Sequence, residues 1–171
     1  MQLKCLGLLA SLMLLTSCGG SKISTVPVAS AGGQNIHSIA LAPNGGLLAD
    51  AVGVELANRG YEIIDSASTS SMMVRLNMNE VEVQRPENLA KLKAQGIDAF
   101  LSVRASGAYD GQPQGASARV VSTATGRLIA GVTWQNAWGG QAGSIADRTM
   151  RKGLNEASVE IANALAAAMA K

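Results

Sequence analysis

The chain has 171 residues, 47% of them hydrophobic and only 15% charged, with a formal net charge of +2. This is enough for one domain with a core of its own, and the near-neutral balance supplies neither a basic field for nucleic acid nor an acidic tail. Two cysteines and one histidine speak against a zinc or copper centre, and no cofactor set can be read from the remaining residues. With 3% aromatics, the core must be built from Val, Ile, Leu, Met and much Ala.

Lys4 precedes the apolar run Cys5 to Leu15, which at about ten residues is half of what a membrane-spanning helix needs. A charged start, a short apolar run and small residues form a secretory signal. The stretch Leu15-Thr16-Ser17-Cys18 resembles the lipobox of bacterial lipoproteins. That resemblance implies acylation of the Cys18 thiol and cleavage before it, so residues 1–17 read as signal peptide. Cys5 would leave with the signal and Cys18 would carry lipid, leaving no disulfide in the mature chain. Gly19, where aspartate is absent, implies sorting to the outer membrane with the domain on the periplasmic face. Gly19 to Gln34 is small, polar and without periodicity, and residues 18–34 therefore read as a lipidated tether. Extended, it would reach roughly 50 Å at about 3.3 Å per residue.

Residues 35–171 then read as a single α/β domain. Asn35 to Ala42 is a first strand, ended by Pro43-Asn44-Gly45-Gly46. Asn44 is placed to cap a helix over Leu47 to Asn58, closed by Gly60, with Leu47, Leu48, Ala51, Val52 and Leu56 toward the core. Tyr61 to Asp65 is a second strand, which completes a βαβ unit with parallel strands. Met72 to Gln84 is ambiguous. Val74, Leu76 and Met78 alternate with polar residues, whereas Met72, Met73, Leu76 and Val83 fit a helical stripe. The alternation favours a strand with a bulge near Asn79-Glu80. Pro86 opens a helix through Gln95, closed by Gly96.

Asp98 to Ser106, Ala116 to Thr123 and Arg127 to Asn136 are three further strands, the last two joined by a hairpin at Thr125-Gly126. Ser102 and Arg104, Ser117 and Arg119, Thr133 and Gln135 share one parity; Leu101, Val103, Ala118, Val120, Val132 and Trp134 share the other. The expected fold is α/β: a mixed sheet of about five strands, helices mainly on one face, and a wetter second face. Ser144 to Ala170 reads as one long C-terminal helix, with Gly153 its weak point.

Few groups carry chemistry. The glycines from Gly139 to Gly143 precede a helix, but no Lys follows them as a phosphate loop requires, so a hinge is the better reading. Pro43 to Gly46 lacks the spaced glycines of a dinucleotide fingerprint. His37 has no nucleophile motif beside it. Asp50, Glu55, Asp65, Glu80, Glu82 and Asp98 show no paired spacing that speaks for glycoside or metal chemistry. An enzyme is not expected, with a periplasmic hydrolase as the alternative in that class. Tyr109 and Asp110 in the loop Gly107 to Gly115, and Trp138, are candidate contacts for a protein partner.

The segment ARVVSTATGRLIAGV, Ala118 to Val132, resembles the hairpin of the curli-secretion-channel lipoprotein family. The stretch GYEIID, the Gly96-Ile97-Asp98-Ala99 strand entry and the Ala-rich last helix follow that family's order. The chain is also similar to the amino-terminal domain of TolB-like proteins and to the lipoprotein that activates penicillin-binding proteins. The resemblance implies a periplasm-facing, lipid-anchored adaptor or accessory subunit of an envelope assembly, able to form homo-oligomers. It transfers one functional position, Cys18, and no catalytic residue. A subunit of an oligomeric outer-membrane secretion pore is the alternative. Met72 to Gln84 has the length and alternation of a barrel strand, but no second such strand lies beside it.

Overall fold

The computed structural model describes residues 20–26, 35–107, 111–136, 141 and 143–170. Six strands form one mixed sheet: β1 (Ser21–Val26), β2 (Ser38–Leu41), β3 (Glu62–Ile64), β4 (Ala99–Gly107), β5 (Pro113–Ser122) and β6 (Leu128–Asn136). Their order is β1-β6-β5-β4-β2-β3. β2 is parallel to β3 and to β4, while β4-β5, β5-β6 and β1-β6 are antiparallel. The helices are α1 (Gly46–Ala57), α2 (Ser66–Arg75), α3 (Pro86–Ala94), α4 (Ile145–Met150) and α5 (Leu154–Met169).

The βαβ unit forms where its local signals place it. β2 is buried throughout, as a strand flanked on both sides must be. Gly60 turns the chain out of α1 with φ +91, a conformation that costs a residue with a Cβ. Leu48, Val52 and Leu56 pack on the sheet, but Leu47 is 78% exposed and does not join them. Asn44 is not the cap of α1. That place belongs to Gly45, which makes no side-chain cap bond, and the Asn44 amide donates to Glu80 Oε2 at 2.5 Å.

Two hydrophobic clusters flank the sheet. α1 and α5 cover one face over Ile39, Leu101, Val103, Val120, Val132 and Trp134. α2 and α3 lie against Ala40, Phe100 and Val121 on the other. Helices therefore stand on both faces, and among the described residues the second is covered on its β2–β3 side and at the adjoining ends of β4 and β5.

Three segments differ from their sequence-based expectation. Ser21–Val26, within the expected tether, is the edge strand β1, paired with Gly131 to Asn136, so the sheet has six strands. Its alternating Lys22, Ser24 and Val26 give little apolar signal, and β6 supplies the ladder that makes it a strand. Met72 to Gln84 is no strand: Met72 to Arg75 end α2, and Glu80–Glu82 form a 3-10 turn. Asp65 caps α2 by accepting from Ser68 N–H at 2.7 Å, and Met73, Met78 and Val83 are buried against Phe100. The long last helix is two helices. Lys152 N–H donates to Asn136 Oδ1 at 3.3 Å and Asn136 Nδ2 donates to Lys152 C=O at 2.9 Å, which holds the chain extended between α4 and α5. Among the described residues, no helix is long and apolar enough to cross a membrane.

Candidate functional site

The alternation read from β4, β5 and β6 becomes a surface once the register is known. Ser102 lies opposite Arg119, Arg104 opposite Ser117, and Ser117 opposite Thr133, so these side chains share one face. β1 extends it with Lys22 beside Gln135 and Ser24 beside Thr133. Arg104, Arg119, Lys22, Ser24, Thr133 and Gln135 are exposed. The face is thus four strands wide and carries three cations. No carboxylate on these four strands points to the same side, and no ion pair joins the three cations to a described residue. The contribution of β1 escaped the sequence reading because β1 itself did.

At one end of this face lies a groove of about 1200 Å³. Its walls are the β2–α1 turn with Leu47, the 3-10 turn with Val81, and β4 from Ser102 to Arg104. Apolar Leu47, Val81 and Phe100 and polar Asn44, Ser102 and Arg104 line it together, and its open shape makes it a contact surface more than an enclosed ligand cavity.

His37 and the carboxylates weighed in the sequence have partners in the fold. His37 is exposed, and its main-chain N–H donates to Asp98 Oδ2 at 3.0 Å. Asp98 also accepts from Ser38 N–H at 3.1 Å and from Lys93 Nζ at 2.6 Å. Asp50 accepts from Ser66 Oγ at 2.9 Å, Asp65 caps α2, Glu80 holds Asn44, and Glu55 and Glu82 pair with Arg59 and Arg85. These carboxylates serve as caps and ties. Among the described residues no group of three His, Cys, Asp or Glu could hold a metal. Of the glycine run read as a hinge, Gly139, Gly140 and Ala142 lie outside the described residues; Ser144, which follows it, caps α4, its Oγ accepting from Asp147 N–H at 3.1 Å. Cys18, Tyr109, Asp110 and Trp138 lie outside the described residues.

One half-buried polar cluster gave no signal in the sequence because its members are distant in the chain. Glu160 on α5 accepts from Trp134 Nε1 at 2.7 Å and from Ser21 Oγ at 2.5 Å, and it pairs with Lys152. Burial works to raise the Glu160 pKa, but the bonds from Lys152, Ser21 and Trp134 outweigh it and hold the carboxyl below its ordinary value. Asp98 is likewise lowered: its burial is outweighed by Lys93 and by the Ser38 and His37 amides. A pKa lower in the folded than in the unfolded state stabilises the fold above the unfolded value, about 4 for these groups. That stability disappears as pH falls through the folded value. Glu160→Gln is therefore expected to be less stable than the parent at pH 7, with a gap that narrows by pH 3, measured by urea unfolding at both pH values.

The fold and this surface define a class: a mixed-sheet α/β domain with one sheet face left largely open by its described helices. No protein-family model matches the chain, and no curated protein matches it in sequence. It shares its fold with PelC of Paraburkholderia phytofirmans, solved as a dodecamer, at TM-score 0.50 and 13% identity over 89% of this chain and 100% of that one. A lipoprotein from Neisseria meningitidis is similar at TM-score 0.47 and 21% identity, over 75% of this chain and 98% of that one.

Proposed function

We propose that the protein is a lipid-anchored lipoprotein on the periplasmic face of the outer membrane, which acts by binding envelope proteins and further copies of itself, and not as an enzyme. The observation that carries this reading is the open cationic face of β1, β6, β5 and β4. A surface with Arg104, Arg119 and Lys22, none of them ion-paired to a described residue, is complementary to an acidic protein surface, and such complementarity governs the rate and choice of partner. Leu15-Thr16-Ser17-Cys18 supports the anchor. Self-association is extended to this chain by analogy of fold, since the PelC structure is a dodecamer.

Crosslinking in a Gram-negative envelope, followed by fractionation and intact-mass measurement, tests both parts. The parent is expected in the membrane fraction with an acylated Cys18 and in crosslinked species larger than one chain. Cys18→Ala is expected to leave the membrane fraction, and Arg104→Glu with Arg119→Glu to lose the crosslinked species while remaining anchored. Membrane-bound Cys18→Ala protein would refute the anchor. Crosslinks unchanged by both charge reversals would refute the face as the contact.

A further inference from the structure

β1 begins at Ser21, only three residues after Cys18. Three residues reach about 11 Å at most when fully extended. β1 runs antiparallel to β6 and pairs Ser21 with Asn136, so Ser21 lies at the sheet end where β4 and β6 finish and β5 starts. β2 runs toward this end but stops at Leu41, opposite Leu101, and Leu47 after it lines one groove with Gly107, Pro113 and Leu154. A lipid on Cys18 therefore holds that end at the headgroups. The opposite end, one strand length away at about 3.3 Å per residue, is kept off.

The same end carries apolar side chains that the core does not use. Val81 is 91%, Ile145 83% and Leu47 78% exposed, the three highest values among the exposed large hydrophobics. Leu47 follows the turn that leaves β2, and the neighbour of Val81, Glu80, is bonded to Asn44 in that turn. Ile145 lies in the segment that departs from Asn136 and returns to it at Lys152. The far end is more polar: it holds the Lys93–Asp98 pair, His37 and the Thr123 to Arg127 turn, with Val54 of the last turn of α1 62% exposed.

We infer that the strand end bearing Ser21, Leu47, Val81 and Ile145 rests on the bilayer, with these three apolar side chains in the interface and the sheet standing away from the membrane. The proposal rests on the acylation of Cys18 advanced above. The bilayer is the occupant because the chain between lipid and fold, about 11 Å at most, keeps the Ser21 end of the sheet beside the headgroups. Exposed apolar side chains beside a lipid anchor add the second contact that stable membrane attachment requires.

The mature chain lends itself to a direct test, since an acylated Cys18 leaves it without a free thiol. Leu47→Cys, Val81→Cys, Ile145→Cys and, at the far turn, Ala124→Cys are each made in the full chain and labelled with an environment-sensitive fluorophore. The lipidated proteins are placed in phosphatidylethanolamine–phosphatidylglycerol vesicles (3:1) containing spin-labelled lipid. Quenching at positions 47, 81 and 145 is expected to exceed that at 124 by at least twofold. Equal quenching at all four positions, or more at 124, would overturn the orientation. A blue-shifted but unquenched label at 47 or 81 would show a second copy on this surface and overturn it too. Intact mass of the same preparations separates the two readings. Acylated protein with the wrong quenching pattern defeats the orientation alone, whereas unacylated protein defeats the anchor and the orientation with it.

Discussion

Trp134→Ala is expected to lower the stability of the domain by about 3–5 kcal/mol, the range for removing a buried indole. Trp134 is fully buried on β6, lies opposite Ala116 of β5 and Ile23 of β1, and faces α5. The substitution opens a cavity and also takes from Glu160 the Nε1–H donor at 2.7 Å. Glu160 is the point where β1, β6, the α4–α5 link and α5 meet, through Ser21, Trp134 and Lys152. With a total stability of about 5–15 kcal/mol for a domain, the variant should be folded but marginal. Trp134→Phe keeps most of the volume and loses the donor, so a cost nearer 1 kcal/mol is expected. Urea unfolding of the three proteins decides it. At about 1–3 kcal/mol/M, the alanine variant should shift its midpoint by more than about 1 M. A shift indistinguishable from that of Trp134→Phe would mean that the cavity collapses and the indole is not a keystone.

Arg151→Met is expected to be nearly as damaging, for an electrostatic reason. The side chains of Arg151 and Asp147 are only 8% and 3% exposed and meet at 2.5 Å. Asp147 also accepts from Gly143 N–H at 2.9 Å, which ties the segment before α4 to the segment after it. Removing the guanidinium leaves a carboxylate in a site closed to water, a loss of about 3–5 kcal/mol. Removing both charges is a different experiment. In Asp147→Asn with Arg151→Met the buried charge is gone, and a large part of the loss should be recovered. A double-mutant cycle by thermal or urea unfolding measures this. If the two single losses simply add, the pair is not coupled and the burial has another cause.

The βαβ start, the Thr125-Gly126 hairpin and the polar–apolar parity of β4, β5 and β6 were legible in the chain. Each rests on signals within a few residues: a glycine where φ is positive, and side chains that must alternate along a strand. The candidate surface was therefore half legible. Ser102, Arg104, Ser117, Arg119, Thr133 and Gln135 could be grouped by parity alone. Lys22 and Ser24 could not, because β1 has no periodicity strong enough to declare itself. Met72 to Gln84 failed for the opposite reason, since its apolar residues satisfy both a two-residue and a helical period.

By itself, then, the sequence determined what local chemistry can determine: a lipobox-like entry, a mixed α/β class, and a sheet with one face wetter than the other. Tertiary structure alone decided the rest. The Asp65 cap and the burial of Met73, Met78 and Val83 against Phe100 made Met72 to Arg75 helical. The Asn136–Lys152 bonds broke the last helix in two. The open edge of β6 turned Ser21–Val26 from an expected tether into a strand. In each case the deciding partner is distant in sequence or is a burial that local periodicity does not encode, and a weak local preference takes its conformation from the contact that folding brings to it.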